Sequence, residues 1–276
     1  MPILLAGNNY GKSRVRVVKV VRRADRHDLV EMTVNVQFEG DFEQVHTAGD
    51  NSAVLPTDTM KNTVNALAKT WSGEQIEEFA CQLVNHFLGN NPQVSRVRIE
   101  IEQTQWTRLD ATSFARGSEE KRTTEVSGVR GGIEIQSGIE NLIVLKTTGS
   151  SFEGYKKDRY TTLKETNDRI LATAITARWA YRDASVAFGS CWQQAREAIL
   201  KTFMERESPS VQHTAYAMGE AVLRDVPDVA EIRLTLPNKH CLLIDLAPFG
   251  LDNKNEVFVP TDEPHGLIEV RLTRKT

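Results

Sequence analysis

The chain is poor in the residues that staple or metallate a protein. It has three cysteines in 276 residues, Cys81, Cys191 and Cys241, far apart and with no CxxC pair. An odd, scattered set excludes a disulfide framework and favours a reducing compartment. Cys81 and Cys191 fall in helical stretches and read as small buried side chains. Of the six histidines, no two form HxH or HxxxH, so a dedicated zinc or non-haem iron site lacks its donors. No apolar run reaches the ~18 residues of a membrane span. The opening MPILLAGNNYGKSR lacks the basic flank of a signal peptide and the closing RLTRKT is not a peroxisomal address, so a cytoplasmic location is expected. Charge of neither sign dominates: 34 basic and 37 acidic residues leave a net of -3, which gives no drive toward nucleic acid or an anionic membrane. There is no GxGxxG after a strand, no Walker loop and no GxSxG elbow.

What is present is periodicity. Residues 29–39 alternate Val30, Met32, Val34, Val36 and Phe38 against polar partners. With the valine-rich 14–22 they predict an antiparallel hairpin with one buried face, and the doubled Val17–Val18 predicts a bulge. Two helices follow, one from Thr57–Asp58 with Met60, Val64, Leu67 and Trp71 on one side, the next opened by the capping-box pattern Ser72-Gly-Glu-Gln75. Strands are expected at 94–103, 106–115 and 123–136. The order then recurs: strands at 139–147 and 171–181, a helix over 185–206, a helix capped by Ser208–Pro209, and strands at 230–236, 241–246 and 267–273. No residue-level repeat is visible, so the repeat is one of pattern. The predicted class is α+β, with two sheet-plus-helix-pair halves at residues 1–136 and 137–276. The open sheet edges of such a fold are protected if subunits pair them into a ring.

The polar residues crowd where folding does not need them. Pro56 stops a strand region and is followed by Thr57 and Asp58 at a helix start, where outward-pointing N–H groups favour electron-rich ligands; either residue would equally serve as a helix N-cap. Similar crowds are Asn8–Ser13, the stretch from Gly149 through Phe152 to Arg169, Val211–Gln212 in the first turn of a helix, and Leu236-Pro-Asn238-Lys-His240, where a strand is expected to break. Each taken singly reads as a surface loop or a cap.

Taken together, YGK at 10–12, DNSAVLPTDTMKNT at 50–63, LIVLKTTGSSFEGYKKDRYTTLKETNDR at 142–169, SPSVQ at 208–212 and LPNKH at 236–240 resemble the urate oxidase (uricase) family, in family order and over essentially the whole chain. The resemblance implies the tunnelling fold (T-fold) and a homotetramer of stacked barrels with sites between subunits. It implies urate and O2 as substrates and no cofactor. Phe152 would stack on the purine, and the Arg169 fork would meet a carbonyl and a ring nitrogen, a task that suits a guanidinium better than an ammonium. Gln212 would bond the opposite edge, backbone groups at Asp58 and Val211 would complete the in-plane set, and Leu163 would form an apolar wall. Lys12, Thr57 and His240 would move the proton, and Thr57 and Asn238 would hold O2 or water. A lysine amine serves as a base only where burial or a nearby cation favours its neutral form.

The implied reaction is oxidation of urate to 5-hydroxyisourate with release of hydrogen peroxide, a step of purine breakdown toward allantoin. Two other readings stand beside it. Another purine or pterin enzyme of the same fold, such as a cyclohydrolase, would need Cys/His zinc ligands. An inactive purine-binding scaffold would keep Phe152, Arg169 and Gln212 while tolerating loss of Lys12 or Thr57. His213 and Cys241 beside the motifs are local differences, and His213 is expected on a helix surface.

Overall fold

The alternation of residues 30–38 builds the first sheet. In the computed structural model, which describes residues 3–275, β1 (Tyr10–Arg22) and β2 (His27–Gly40) form an antiparallel hairpin. Val30, Met32, Val34, Val36 and Phe38 of β2 are all buried, each contributing about 1.5–3 kcal/mol of transfer free energy. The bulge expected at Val17–Val18 is not there. The register runs unbroken from Val15 to Arg22 and shifts instead between Lys12 and Val15. Arg14 takes φ 58° at that point, and its N–H donates to Asn35 Oδ1 at 2.7 Å. The second valine of the doublet, Val18, is simply left on the open face.

Three helices follow: α1 (Glu43–Thr47), which the periodicity did not reveal, α2 (Thr57–Thr70) and α3 (Ile76–Asn90). Neither Thr57 nor Asp58 is the N-cap of α2; that position is Pro56, with no side-chain cap. The Asp58 carboxylate accepts from Lys61 and from Asn62 Nδ2 of its own helix. The Ser72–Gln75 capping box does not form either. Gly73 sits at φ 89°, outside helical space, so the Ser72 hydroxyl serves a turn, accepting from Glu74 N–H at 3.3 Å, and α3 starts at Ile76. Met60, Val64 and Ala68 of α2 and Ile76, Phe79, Ala80, Leu83, Val84 and Phe87 of α3 bury the apolar stripe against the sheet. Trp71 stacks on Phe79 with centroids 4.9 Å apart.

β3 (Val94–Thr104) pairs with β2. The segment 106–115 is a small hairpin of β4 (Thr107–Arg108) and β5 (Phe114–Ala115), not one strand. The expected strand 123–136 is divided by a turn at Gly131, φ 109°. β6 (Lys121–Val129) ends before it, and β7 (Gly132–Lys146) begins after it and runs on across residues 136–137. The rest comprises β8 (Leu171–Tyr181), α4 (Phe188–Glu205), α5 (Val211–Asp225), β9 (Val229–Leu243), a 3-10 turn at Ala247–Phe249 and β10 (Phe258–Thr273). The N-cap of α5 is Ser210, not Ser208: its hydroxyl accepts from His213 N–H at 3.1 Å. β9 does not break at Pro237 either. The irregularity lies in its partner, where the β10 register shifts between Thr261 and Gly266.

The chain forms two units, one of the residues up to Gly138 with Ala180–Gly189, the other of Ile139–Trp179 with Ser190 onward. Strand order is β1-β2-β3-β6-β7 in the first and β7-β8-β9-β10 in the second. The architecture is the expected α+β. The contacts also reveal a correspondence that the sequence hides. Lys19 Nζ donates to the carbonyls of Ala68 and Lys69 at the end of α2, at 2.8 and 3.2 Å, and Lys146 Nζ to those of Phe203 and Arg206 at the end of α4, at 3.3 and 2.8 Å. The Arg130 guanidinium bonds the carbonyls of Leu88, Asn91 and Val94, and the Arg274 guanidinium those of Leu223, Val226 and Val229. The two acceptor sets have identical spacing. Cations at helix C-termini satisfy orphan carbonyls and oppose the macrodipole.

Candidate active site

The irregularity in β1 decides where Lys12 points. Directly paired residues of antiparallel strands share a face. Tyr10, Lys12, Val15 and Val17 pair with Phe38, Val36, Val34 and Met32, all on the buried face of β2. A strand of strict period two could not place both Lys12 and Val15 on that face; the extra residue at the shift re-aims Lys12 toward it. Gly11 is required beside it, because a Cβ there would lie 1.8 Å from the Val36 carbonyl oxygen. The half-buried Lys12 thus sits at the end of the sheet near the start of α2. Its charge is among those that hold the Asp58 carboxyl below the usual aspartate range, although the hydrogen bond from Lys61 is the largest cause. With the Asp58 side chain engaged along its helix, the first-turn N–H groups of Thr57 and Asp58 have no carbonyl behind them within α2 and face outward. Thr57 is half-buried.

A second group is assembled in the other unit. Phe152 and Thr166 form a two-bond bridge, with N–H···O distances of 2.8 and 3.2 Å. Tyr155, three residues on, lies parallel to Phe152 with centroids 4.8 Å apart and planes 12° from parallel. Its hydroxyl donates to the Leu163 carbonyl at 2.6 Å, while the Leu163 side chain itself is exposed. The Arg169 guanidinium lies 5.3 Å from the centre of the Phe152 ring, and the backbone N–H of Arg169 donates to the Ser150 carbonyl at 2.8 Å. Burial pushes the Arg169 guanidinium below its ordinary value. Its Nε–H is buried with no protein partner, a costly arrangement unless a ligand supplies the acceptor. Asp168 anchors the turn, accepting from Thr148 Oγ1 and Gly149 N–H, both at 2.9 Å; the Thr148 bond is the chief reason its carboxyl is held low.

The same turn is tied to the start of α5. Ser150 and Ser208 form a parallel bridge, with Ser151 N–H donating to the Ser208 carbonyl and Ser208 N–H to that of Gly149 at 2.8 and 2.9 Å. Thr214 Oγ1 donates to Ser208 Oγ at 2.6 Å. Phe152, Arg169, Val211 and Gln212 are therefore on one hydrogen-bonded frame. Val211 is buried, Gln212 exposed. On β9, Asn238 and His240 continue the even-numbered face of the buried Ile232, Leu234 and Leu236, since side chains two apart share a face. They pair with Gly266 and Thr261, the two ends of the irregular stretch of β10, and both are half-buried. His213 is on the surface of α5, as expected.

Lys12, Thr57 and Asp58 thus belong to the first unit and Phe152, Leu163, Arg169, Val211, Gln212, Asn238 and His240 to the second. The sequence reading missed Tyr155, Asp168, Ser208 and Thr214, which fix the residues it selected. Tyr155, Asp168 and Ser208 lie within the quoted motifs, and Thr214 lies two residues beyond SPSVQ. Among the described residues, no cluster of three His, Cys, Asp or Glu side chains could hold a metal ion.

Antiparallel strands faced by helices define an α+β chain, and the solved structures it matches identify that fold as the tunnelling fold of the uricases. The crystal structure of uricase from Arthrobacter globiformis matches it with a TM-score of 0.96 and 44% identity, covering 100% of this chain and 96% of that one. The family model for uricase matches residues 8–127 and 135–269. The curated Arthrobacter globiformis uricase is 46% identical over 277 aligned residues, covering 99% of this chain and 91% of the relative. The Aspergillus flavus uricase is 40% identical, covering 97% and 96%. The chain belongs to the uricase family.

Proposed function

We infer that the chain oxidises urate with O2, giving 5-hydroxyisourate and hydrogen peroxide. The observation that carries this reading is Arg169: a half-buried cation whose Nε–H has no partner among the described residues, set 5.3 Å from the Phe152 ring. A planar anion that stacks on the ring and accepts from the free Nε–H fits this pair. Membership of the uricase family supports the same substrate. Gln212 donates and accepts along the opposite edge, and the first-turn amides of Asp58 and Val211 complete the set. Leu163 borders the ring.

The reaction needs a deprotonated, electron-rich purine and a place for O2. Lys12 takes the proton through the Thr57 hydroxyl, with His240 tuning the relay. Asn238 and Thr57 hold O2, then water. Two electrons pass from the urate dianion to O2, which takes back the proton held by Lys12 and a second from the attacking water and leaves as hydrogen peroxide; the hydroxide left from that water adds to the oxidised ring. The chemistry resides in the substrate, so the chain needs no cofactor. The working form is a homotetramer of two half-repeats per subunit, residues 1–136 and 137–276, with Lys12, Thr57 and Asp58 from one subunit and the ring-holding residues from its neighbour. Three free cysteines support a cytoplasmic setting.

The test is to mix the purified protein with urate in air and follow loss of urate absorbance and appearance of peroxide. Lys12→Met and Thr57→Ala lower kcat by about 10²–10⁴-fold, the usual contribution of acid–base groups, while binding is largely kept. Arg169→Ala raises KM instead. No turnover by the assembled tetramer defeats the oxidase reading, and identical kinetic defects in the two groups defeat the division of roles.

A further inference from the structure

The roles of the proposed base, Lys12, and of its relay, Thr57, leave open what keeps these two residues in register. They lie 45 positions apart on different elements, β1 and α2. A direct tie joins the two segments. Leu55 N–H donates to Tyr10 Oη at 3.0 Å in a half-buried setting. Tyr10 stands two residues before Lys12 on the same strand face, and Leu55 two residues before Thr57. Only Pro56, whose φ is fixed by its ring, separates Leu55 from the helix start. The tie is short on both sides.

The tyrosine is rigidly seated. Its ring meets Phe42 edge-on with centroids 4.8 Å apart and planes at 90°, and Phe38 at 5.8 Å and 79°. Both phenylalanines are buried, at 2% exposure or less. Burial pushes the phenol above its ordinary value, opposed by the bond from Leu55. The ring is thus fixed by packing, and its hydroxyl meets the loop at Leu55. Gln93 Nε2 also donates to the Ala53 carbonyl at 2.8 Å, four residues ahead of Thr57. Of the two, the Tyr10 bond lies nearer the helix start.

We propose that Tyr10 is a positioning residue for proton transfer: through its bond to Leu55 N–H it sets the distance between Lys12 on β1 and Thr57 at the start of α2. The proposal rests on the roles of Lys12 and Thr57 given above and adds a group that touches neither substrate nor O2. It makes the YGK motif a unit in which Tyr10 fixes the partner, Gly11 admits the neighbouring strand and Lys12 carries the proton.

Tyr10→Phe tests it, because the ring and its packing stay while the acceptor goes. The expected result is a fall in kcat of roughly tenfold, a fraction of the ~10²-fold that attends a full ångström of misplacement, with KM little changed and the tetramer intact. Hydrogen exchange at the Leu55 amide should quicken, which reports the lost bond directly. The decisive readout is a double-mutant cycle. If Tyr10 acts through Thr57, Tyr10→Phe has almost no effect on kcat in a Thr57→Ala background. Wild-type kcat in Tyr10→Phe, or the same fold loss in both backgrounds, overturns the proposal while leaving the proton-relay reading intact. Wild-type kcat in Thr57→Ala alone overturns the relay reading, and the positioning role with it. Should Tyr10→Phe prove unstable, a ring-fluorinated tyrosine at position 10 keeps the packing and weakens the hydroxyl as an acceptor; a smaller kcat-only defect is expected, and wild-type kcat there overturns the proposal.

Discussion

Gly11→Ala is a one-carbon change with a large expected effect. The added Cβ would lie 1.8 Å from the Val36 carbonyl oxygen, 2.8 Å from the Val36 carbonyl carbon and 2.9 Å from Gln37 Cα. All three are backbone atoms of the neighbouring strand, so no side chain can turn away. Bringing the first contact from 1.8 Å to the 3.0 Å below which real Cβ contacts essentially never occur opens β1 from β2 by at least 1.2 Å. Lys12, the next residue, pairs with Val36 and moves with the strand. An overpacked site of this kind costs about 1–3 kcal/mol, or roughly 2–12 °C in Tm for a chain of this size. The kinetic effect is larger: misplacing a catalytic group by about an ångström costs about 10²-fold in rate. Initial rates at saturating urate in air-saturated buffer measure it, alongside urate binding without O2, which should change far less because Phe152, Arg169 and Gln212 lie in the other unit. Gly89→Ala, where a Cβ meets nothing within 4 Å, is the control and should leave kcat unchanged. Gly11→Ala with kcat within about threefold of wild type and an unchanged Tm would refute the claim that this strand contact positions Lys12.

Other outcomes follow from the same frame. Glu77 is fully buried, its carboxylate meeting Arg122 at 2.7 Å and the Ser137 hydroxyl at 2.5 Å. Glu77→Ala should therefore cost about 3–5 kcal/mol by denaturant unfolding, and the pair Glu77→Leu with Arg122→Met less than that. Asp168 gives a pH signature. Its folded carboxyl is held below the ordinary 3.8, so its stabilisation is full above that value and is lost as pH falls through the lowered one. The Tm advantage of wild type over Asp168→Asn should then be constant near neutrality and shrink below about pH 4; a gap that persists in acid counts against the Thr148–Gly149 anchor.

Much of this protein was determined locally. Period-two runs such as residues 30–38 sufficed to name strands, and the stripes Met60–Val64 and Ile76–Phe87 to name helices, because burial on one face imposes the period of the element. The motifs carrying Lys12, Thr57, Phe152, Arg169, Gln212, Asn238 and His240 were also legible, as clusters of polar residues that the core does not require. What the sequence could not decide was anything set by a partner strand or by a distant acceptor. The irregularity near Lys12 depends on the Asn35 side chain receiving the Arg14 amide, not on the valine doublet that suggested a bulge elsewhere. The N-cap position of α2 fell to Pro56, and the Asp58 carboxylate went to Lys61 and Asn62 instead. The paired caps by Lys19 and Lys146 and by Arg130 and Arg274 reveal a correspondence between the halves that is written in contacts, since many sequences can place a cation at a helix end. Which groups are left without partners, above all the Nε–H of Arg169, is a property of three-dimensional satisfaction, and only tertiary structure can show it.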